Sequence, residues 1–255
     1  MSRRLEIVAV PGIGEVGPGD AVGALVATAA ASAELEIADD DIVCLSQKVV
    51  SKAEGRVKSL AAIEPGPRAR ALAAELDKDP RLVELVLAEA RRLVRAEHGV
   101  LIVETHSGWI CANAGIDASN LPGPDDVALL PLDADASARR IRAEIAAARA
   151  VRPGVVISDS FGRPWRQGQA EVAIGCAGVV AVDDWRGRRD AHGRELEATA
   201  IAGADQLAAA ADLARDKTSR TPAVLIRGAA RLLTGDDGPG AAATIQRPGA
   251  EDLFR

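Results

Sequence analysis

Apolar positions along the chain follow two rhythms. Short runs dense in Val and Ile predict strands at Leu5–Val10, Ile42–Val50, Val100–Val103, Val127–Leu130, Val155–Ser158, Val172–Val182 and Val224–Ile226. Longer segments rich in Ala, Leu, Arg and Glu, with apolar residues three and four apart, predict helices over Ala21–Ala33, Arg68–Arg95, Ser137–Ala150 and Asp205–Arg215. Pro80 divides the longest of these, because proline lacks an amide hydrogen and its ring clashes with the preceding turn. Helices and strands do not alternate one for one: Val151 to Ala202 reads almost wholly as strand and loop. The pattern therefore predicts an α+β fold, with mixed sheets and flanking helices, rather than a regular doubly wound sheet. No internal repeat is visible. From Thr234 through Gly240 the chain turns rich in Gly, Pro and Asp. The expected division is a body over residues 1–240, as one domain or two intimately packed subdomains, and a loosely held tail over residues 241–255.

Composition narrows the class. With two Phe, three Trp and no Tyr in 255 residues, the core must be built from Ala, Val, Leu and Ile. A chain of this size buries roughly three quarters of its unfolded surface and needs no covalent staple. The net charge of −6 argues against a nucleic-acid partner, although it leaves room for a local basic pocket. Cys44, Cys111 and Cys176 lie far apart in apolar stretches, which argues against disulfides and a structural zinc. Met-Ser-Arg-Arg passes at once into a short strand-like run, too brief for a signal peptide. No charge-free apolar run reaches the roughly 18 residues a membrane span requires. A cytoplasmic, reduced protein without a membrane partner is expected.

Three stretches could carry chemistry. Gly12-Ile13-Gly14-Glu15-Val16-Gly17 follows a strand and formally matches the dinucleotide fingerprint G-x-G-x-x-G. Pro18-Gly19-Asp20 then delays any helix, with Asp20 as its candidate N-cap, so a plain glycine-rich turn is the simpler reading. There is no P-loop motif. Ser46-Gln47-Lys48-Val49-Val50-Ser51-Lys52 ends a strand-like run and offers ammonium, hydroxyl and amide donors suited to a polyphosphate. A solvent-facing strand edge guarded by lysine would look the same.

The third group is acidic and amide-rich. Ala112-Asn113-Ala114-Gly115-Ile116-Asp117-Ala118-Ser119-Asn120 ends in a turn, and Ser158-Asp159-Ser160 follows the apolar Val155–Ile157. Asp117, Asp159 and the Ser160 hydroxyl are oxygen donors of the kind that Mg²⁺ and Mn²⁺ take. Aspartates in loops also serve as turn formers and caps. His98, His106 and His192 show no metal spacing and no serine or cysteine partner motif. Arg163, Trp165 and Arg166 could hold a phosphate or stack on a ring, or form a proline-bent loop around one packed indole.

In their order and spacing these segments resemble the coenzyme F420-0:L-glutamate ligase family, the γ-glutamyl ligases of deazaflavin biosynthesis. The resemblance spans about residues 5–230. It rests on Val10-Pro11-Gly12-Ile13, Ser46–Gly55, Ile110–Asn120, Ile157–Gly168 and Ala204-Asp205-Gln206-Leu207. It implies a homodimeric α+β fold that takes GTP, L-glutamate and coenzyme F420-0, with two divalent cations, Mg²⁺ or Mn²⁺, and a monovalent cation such as K⁺ as a further candidate. The implied nucleotide contacts are Ile13, Gly14, Glu15, Val16, Ser46, Gln47, Lys52 and Asn120, with Ala204 and Asp205 beside them. The implied metal ligands are Asp117, Asp159, Ser160 and Gln206, and the implied catalytic residues are Asp117, Asp159 and Lys52. Gln206 stands where an acidic ligand would be more natural. Gln47 and Lys52 have opposite strand parity, so they reach one ligand only if the strand ends or bulges between them. Some relatives carry a fused nitroreductase-like domain, and a stand-alone ligase domain is expected here.

The chemistry implied is formation of a carbon–nitrogen bond between an acid and an amino acid. GTP activates the lactyl carboxylate of F420-0 as an acyl phosphate, and the glutamate amine displaces phosphate. Further glutamates join through the γ-carboxyl. A GTP-binding regulatory protein of the same fold without turnover is the alternative, against which the two carboxylates speak. An NAD-dependent oxidoreductase built on Gly12–Gly17 is less favoured, because no helix opens at the third glycine.

Overall fold

The computed structural model describes residues 4–215 and 218–252. In chain order these form β1 (Glu6–Val10), α1 (Val22–Ser32), β2 (Ile42–Ser46), α2 (Gln47–Ala53) and β3 (Val57–Ser59). Helices α3 (Pro67–Leu76) and α4 (Pro80–Glu89) follow, then β4 (Ala90–Glu97), β5 (Val100–Thr105), β6 (Ile110–Ala112) and β7 (Asp126–Ala128). Next come α5 (Ala134–Arg149), the long hairpin of β8 (Gly154–Arg163) and β9 (Arg166–Ala177), then β10 (Val182–Asp184) and β11 (Ala200–Ala202). Helix α6 (Gly203–Asp212), β12 (Ala223–Arg227) and α7 (Ala241–Thr244) complete the order. The class is mixed α+β, as the apolar pattern predicts.

The main sheet has the order β1-β12-β2-β8-β9, with β2 parallel to β8 and every other neighbour antiparallel. Its central strands read as unbroken apolar runs because both faces are covered. Val43, Leu45, Val155, Ile157 and Leu225 meet α1 and α5 through Val22, Val26, Ile141 and Ile145. Ile42, Cys44, Val156, Val224 and Ile226 meet Ala204, Leu207, Ala208 and Ala211 of α6. Strands β4, β5 and β6 make a separate antiparallel sheet with its own core against α3 and α4. The three cysteines are buried and free, and burial pushes each thiol up to about 12. Among the described residues no helix is long and apolar enough to cross a membrane.

Two expectations change. The predicted helix Arg68–Arg95 ends at Glu89, and the remainder is β4. Ala90, Leu93 and Ala96 all pack on the smaller core, because β4 shifts register twice against β5 and so points every third residue inward. A doubly bulged strand thus carries a helix-like spacing. The predicted strand Ile42–Val50 stops at Ser46, and Val49 and Val50 belong to α2. Where the expected tail begins, Ala241 is fully buried, and the Asp135 carboxylate accepts the amides of Cys176, Ala241 and Ala242 at 2.8–3.0 Å. Residues 253–255 lie outside the described residues.

Candidate functional site

A cavity of about 540 Å³ opens where the parallel pairing of β2 with β8 ends, at Ser46 and Ser158. The turn after β1 forms one wall with Ile13, Gly14, Glu15 and Val16. Gly12 takes a φ of +82° there, a left-handed conformation that suits glycine. Asp20 does not cap α1: its carboxylate accepts the Gly17 amide at 2.8 Å and closes the turn. The first turn of α1 is satisfied from α5, where the Glu144 carboxylate accepts the Gly23 amide at 2.7 Å. No helix opens at the third glycine, and β1 pairs antiparallel with β12 alone, so this turn lacks the dinucleotide-binding setting.

The switch from strand to helix after Ser46 resolves the parity problem. Ser46, Gln47, Lys48, Val49 and Lys52 all line the cavity, and Lys48 and Lys52, one helical turn apart, lie on one face of α2. Gln47 is 1 % exposed; its Oε1 accepts the Ser51 hydroxyl at 2.7 Å, and its Nε2 is buried without a hydrogen-bond partner. Lys52 pairs with Glu15 across the mouth.

Asp117 is fixed by backbone pairing with Ala128 and accepts the Ser119 amide at 2.6 Å. Lys48 donates to Asp117 Oδ2 at 2.8 Å and to the Ser119 hydroxyl at 2.7 Å. Burial opposes ionisation of Asp117, but the hydrogen bonds from Lys48 and Ser119 prevail and hold its carboxyl below the usual range. Asn120, in a left-handed turn, also lines the cavity.

Asp159 and Ser160 come from β8 where that strand leaves the core; the strand does not end there but continues to Arg163. A bulge opposite Ile157 and Ser158 shifts the register against β9 and brings Glu171 across from Ser160. Glu171 accepts the hydroxyls of Ser158 and Ser160, each at 2.5 Å, and the Arg215 guanidinium at 3.0 Å. Burial, followed by repulsion from Glu171, pushes the Asp159 carboxyl up to about 7, with Asp117 adding to the effect. Three cation–carboxylate pairs therefore line one cavity: Lys52 with Glu15, Lys48 with Asp117, and Arg215 with Glu171.

The expected contacts from α6 fall elsewhere. Ala204 is fully buried in the core, and Asp205 accepts the Ala173 amide at 2.9 Å, stitching α6 to β9. Gln206 is exposed, and none of these three residues lines the cavity. They occupy the first turn of α6, whereas the cavity lies beyond its last turn, at Asp212, Arg215, Arg220, Thr221 and Pro222. Asp216 and Lys217 lie outside the described residues. Sequence reasoning missed Glu171, Arg215 and Arg220; the available signal was the polar connection running directly into the apolar strand β12. Trp165 is 79 % exposed at the hairpin turn rather than packed, and no histidine lines the cavity. A second concavity of about 380 Å³, between the start of α5 and α7, holds none of the expected site residues.

The donor chemistry fits a hard divalent cation. Asp117 and Asp159 stand close enough for their charges to interact, Ser160 adds a hydroxyl, and a cation would relieve the repulsion that raises Asp159. Among the described residues no group of three or more acidic, histidine or cysteine side chains is arranged to hold a metal ion by itself.

Comparison with known proteins identifies the family. Residues 12–228 match the family model described as F420-0:Gamma-glutamyl ligase. The chain is 45 % identical over 252 residues to "Coenzyme F420:L-glutamate ligase" of Methanopyrus kandleri, covering 98 % of each chain. It is 40 % identical over 253 residues to the protein of that name from Methanothermobacter thermautotrophicus, covering 98 % of this chain and 99 % of the other. The Haloarcula marismortui protein of the same name is 44 % identical over 230 residues, covering 88 % and 87 %. The matched span takes in all the β2–α2, Asp117 and β8 segments that build the cavity, and the chain belongs to the F420-0:gamma-glutamyl ligase family.

Proposed function

We propose that this chain joins L-glutamate to the deazaflavin coenzyme F420-0, with GTP as phosphoryl donor and Mg²⁺ or Mn²⁺ as cofactor. The observation that carries the reading is the convergence in one cavity of Lys48, Lys52 and Arg215 with Asp117, Asp159 and Glu171. Cations and acids from separated parts of the chain suit a ligand that is itself a polyanion bound with metal. The name of these relatives, Coenzyme F420:L-glutamate ligase, supports both the substrate and the bond formed.

A carboxylate is a poor electrophile. In this reading a substrate carboxylate oxygen attacks the γ-phosphorus, GDP leaves, and an acyl phosphate forms. The glutamate amine then attacks the acyl carbon, phosphate leaves, and the nitrogen releases its proton. Lys52 neutralises phosphate oxygens at the mouth, the unpartnered Gln47 Nε2 donates to the nucleotide, and the turn Ile13–Val16 closes over it. Asp117, Asp159 and Ser160 would hold divalent cations, which would supply neutralisation of the developing negative charge. No covalent nucleophile on the protein is required. The family resemblance adds a homodimer to this reading, for which analytical ultracentrifugation is the test.

The deciding experiment measures phosphate released from GTP by the purified protein with Mn²⁺. Release is expected only when L-glutamate and the deazaflavin are both present. Release that ignores glutamate would overturn the reading.

A further inference from the structure

Arg215 stands just beyond the last turn of α6 and reaches the cavity with a side chain that is only 7 % exposed. Its Nη2 donates to the Ser158 hydroxyl at 2.9 Å and to Glu171 Oε2 at 3.0 Å. Its Nη1 is buried and has no hydrogen-bond partner. Arginine stays charged, so that nitrogen cannot shed its need for an acceptor by losing a proton. A buried donor left unmade is costly, and native proteins rarely keep one without a reason.

If Arg215 served only as counter-charge to Glu171, the pairing through Nη2 would be sufficient. The same pairing does something else as well: it fixes the plane of the guanidinium. Glu171 is in turn held by the hydroxyls of Ser158 and Ser160, so the fork is anchored on β8 and β9 together. An orphaned donor on a rigidly held cation, in a cavity wall otherwise rich in carboxylates, fits an acceptor brought by a ligand.

We propose that Arg215 is an anion-binding residue of this cavity, donating from Nη1 to a phosphoryl or carboxylate oxygen of the bound ligand while Glu171 and Ser158 hold its guanidinium. The choice of ligands tested rests on the ligase reading; the site itself rests on the geometry.

The test is calorimetric titration of wild-type protein, Arg215→Lys and Arg215→Gln with GTP, inorganic tripolyphosphate and L-glutamate, alongside thermal melts. The lysine variant keeps a positive charge beside Glu171 and guards against a variant that does not fold. Affinity is expected to fall roughly 10- to 100-fold in one class of ligand, with the other within about twofold. Loss for GTP and tripolyphosphate identifies a phosphoryl oxygen, and loss for L-glutamate alone identifies a carboxylate. Unchanged affinities in folded variants overturn the inference and leave the ligase reading intact. Equal loss for all three ligands with a lowered melting temperature, or no cooperative melting in either variant, assigns Arg215 to packing and also overturns it. Wild-type protein that binds none of the three overturns both.

Discussion

Lys48 donates to Asp117 across 2.8 Å, tying the first turn of α2 to the segment before Asn120. This ammonium occupies a carboxylate oxygen that a divalent cation would otherwise claim. Lys48→Met is therefore expected to bind Mn²⁺ about threefold or more tightly than wild type, because a competing positive charge is gone. Asp117→Asn should bind it much more weakly. Electron paramagnetic resonance of free Mn²⁺ reads both, and weaker binding by Lys48→Met would mean that the pair organises the site instead.

The partnership of Lys52 with the exposed Glu15 sits at the mouth, where an ion pair adds little to stability. Lys52→Ala should leave the melting temperature nearly unchanged but weaken GTP binding by roughly 1.5–3 kcal/mol, the range for a charge-assisted contact. Lys48→Ala should weaken it less, since Lys48 is engaged with Asp117 and Ser119. Equal losses in titrations of the two variants would remove the distinction between the lysines.

Asp159 makes stability depend on pH. Its carboxyl keeps a proton up to about 7 in the folded chain, but loses it near 4 when unfolded. Between those values the folded form binds more protons, so stability falls as pH rises from about 4 to about 7 and stays reduced above. Asp159→Asn removes the charge and should be more stable than wild type at pH 8 by about 1 kcal/mol or more. The gap should close near pH 4, and ligation should be abolished throughout. Denaturant melts in EDTA, where no divalent cation masks the effect, decide it; a variant less stable than wild type at pH 8 would refute it.

Close approach of α1 to α5 depends on Gly23. A side-chain carbon there would run into the Ile141 carbonyl and come within 2.7 Å of Glu144 Cβ. Gly23→Ala should cost about 1–3 kcal/mol by overpacking, even though alanine favours helix. Gly14→Ala, with nothing within 4 Å of the added carbon, is the comparison and should stay within about 0.5 kcal/mol. Urea unfolding of the two variants provides the measurement.

An isotope separates acyl transfer from a nucleotide switch. With ¹⁸O in the coenzyme's carboxylate, label should appear in the released phosphate, because the attacking oxygen leaves with it. Chelation should stop the transfer, and restored Mn²⁺ or Mg²⁺ should recover it. Unlabelled phosphate beside normal product would exclude the acyl-phosphate route.

The central strands were legible because β2, β8 and β12 are buried on both faces and must be apolar throughout. Strand β4 was not, since its two bulges give Ala90, Leu93 and Ala96 a spacing near that of a helix. The cavity was legible where its side chains follow strand ends, as at Ser46 and Gln47, or sit where a strand leaves the core, as at Asp159. Its far wall was hidden: Glu171 comes into place only through the β8–β9 bulge, and Arg215 through the packing of α6 on β8 and β9. Neither relation has a local signature, and the segment Ala204–Gln206 sits at the end of α6 away from the cavity.

The pairing of β1 with β12 bears on how the chain is made. Glu6 lies opposite Arg227 and Val10 opposite Ala223, and β1 has no other neighbour in the sheet. During translation β1 must wait, with Ile7, Val8 and Val10 unpaired, until β12 has been synthesised. Pairing at such sequence separation is slow, and it leaves an apolar edge open to other nascent chains in the meantime. The same order makes β12 the keystone inserted between β1 and β2, so a ribosome that stalls before Ala223 leaves the sheet split, with β1 lacking its strand partner.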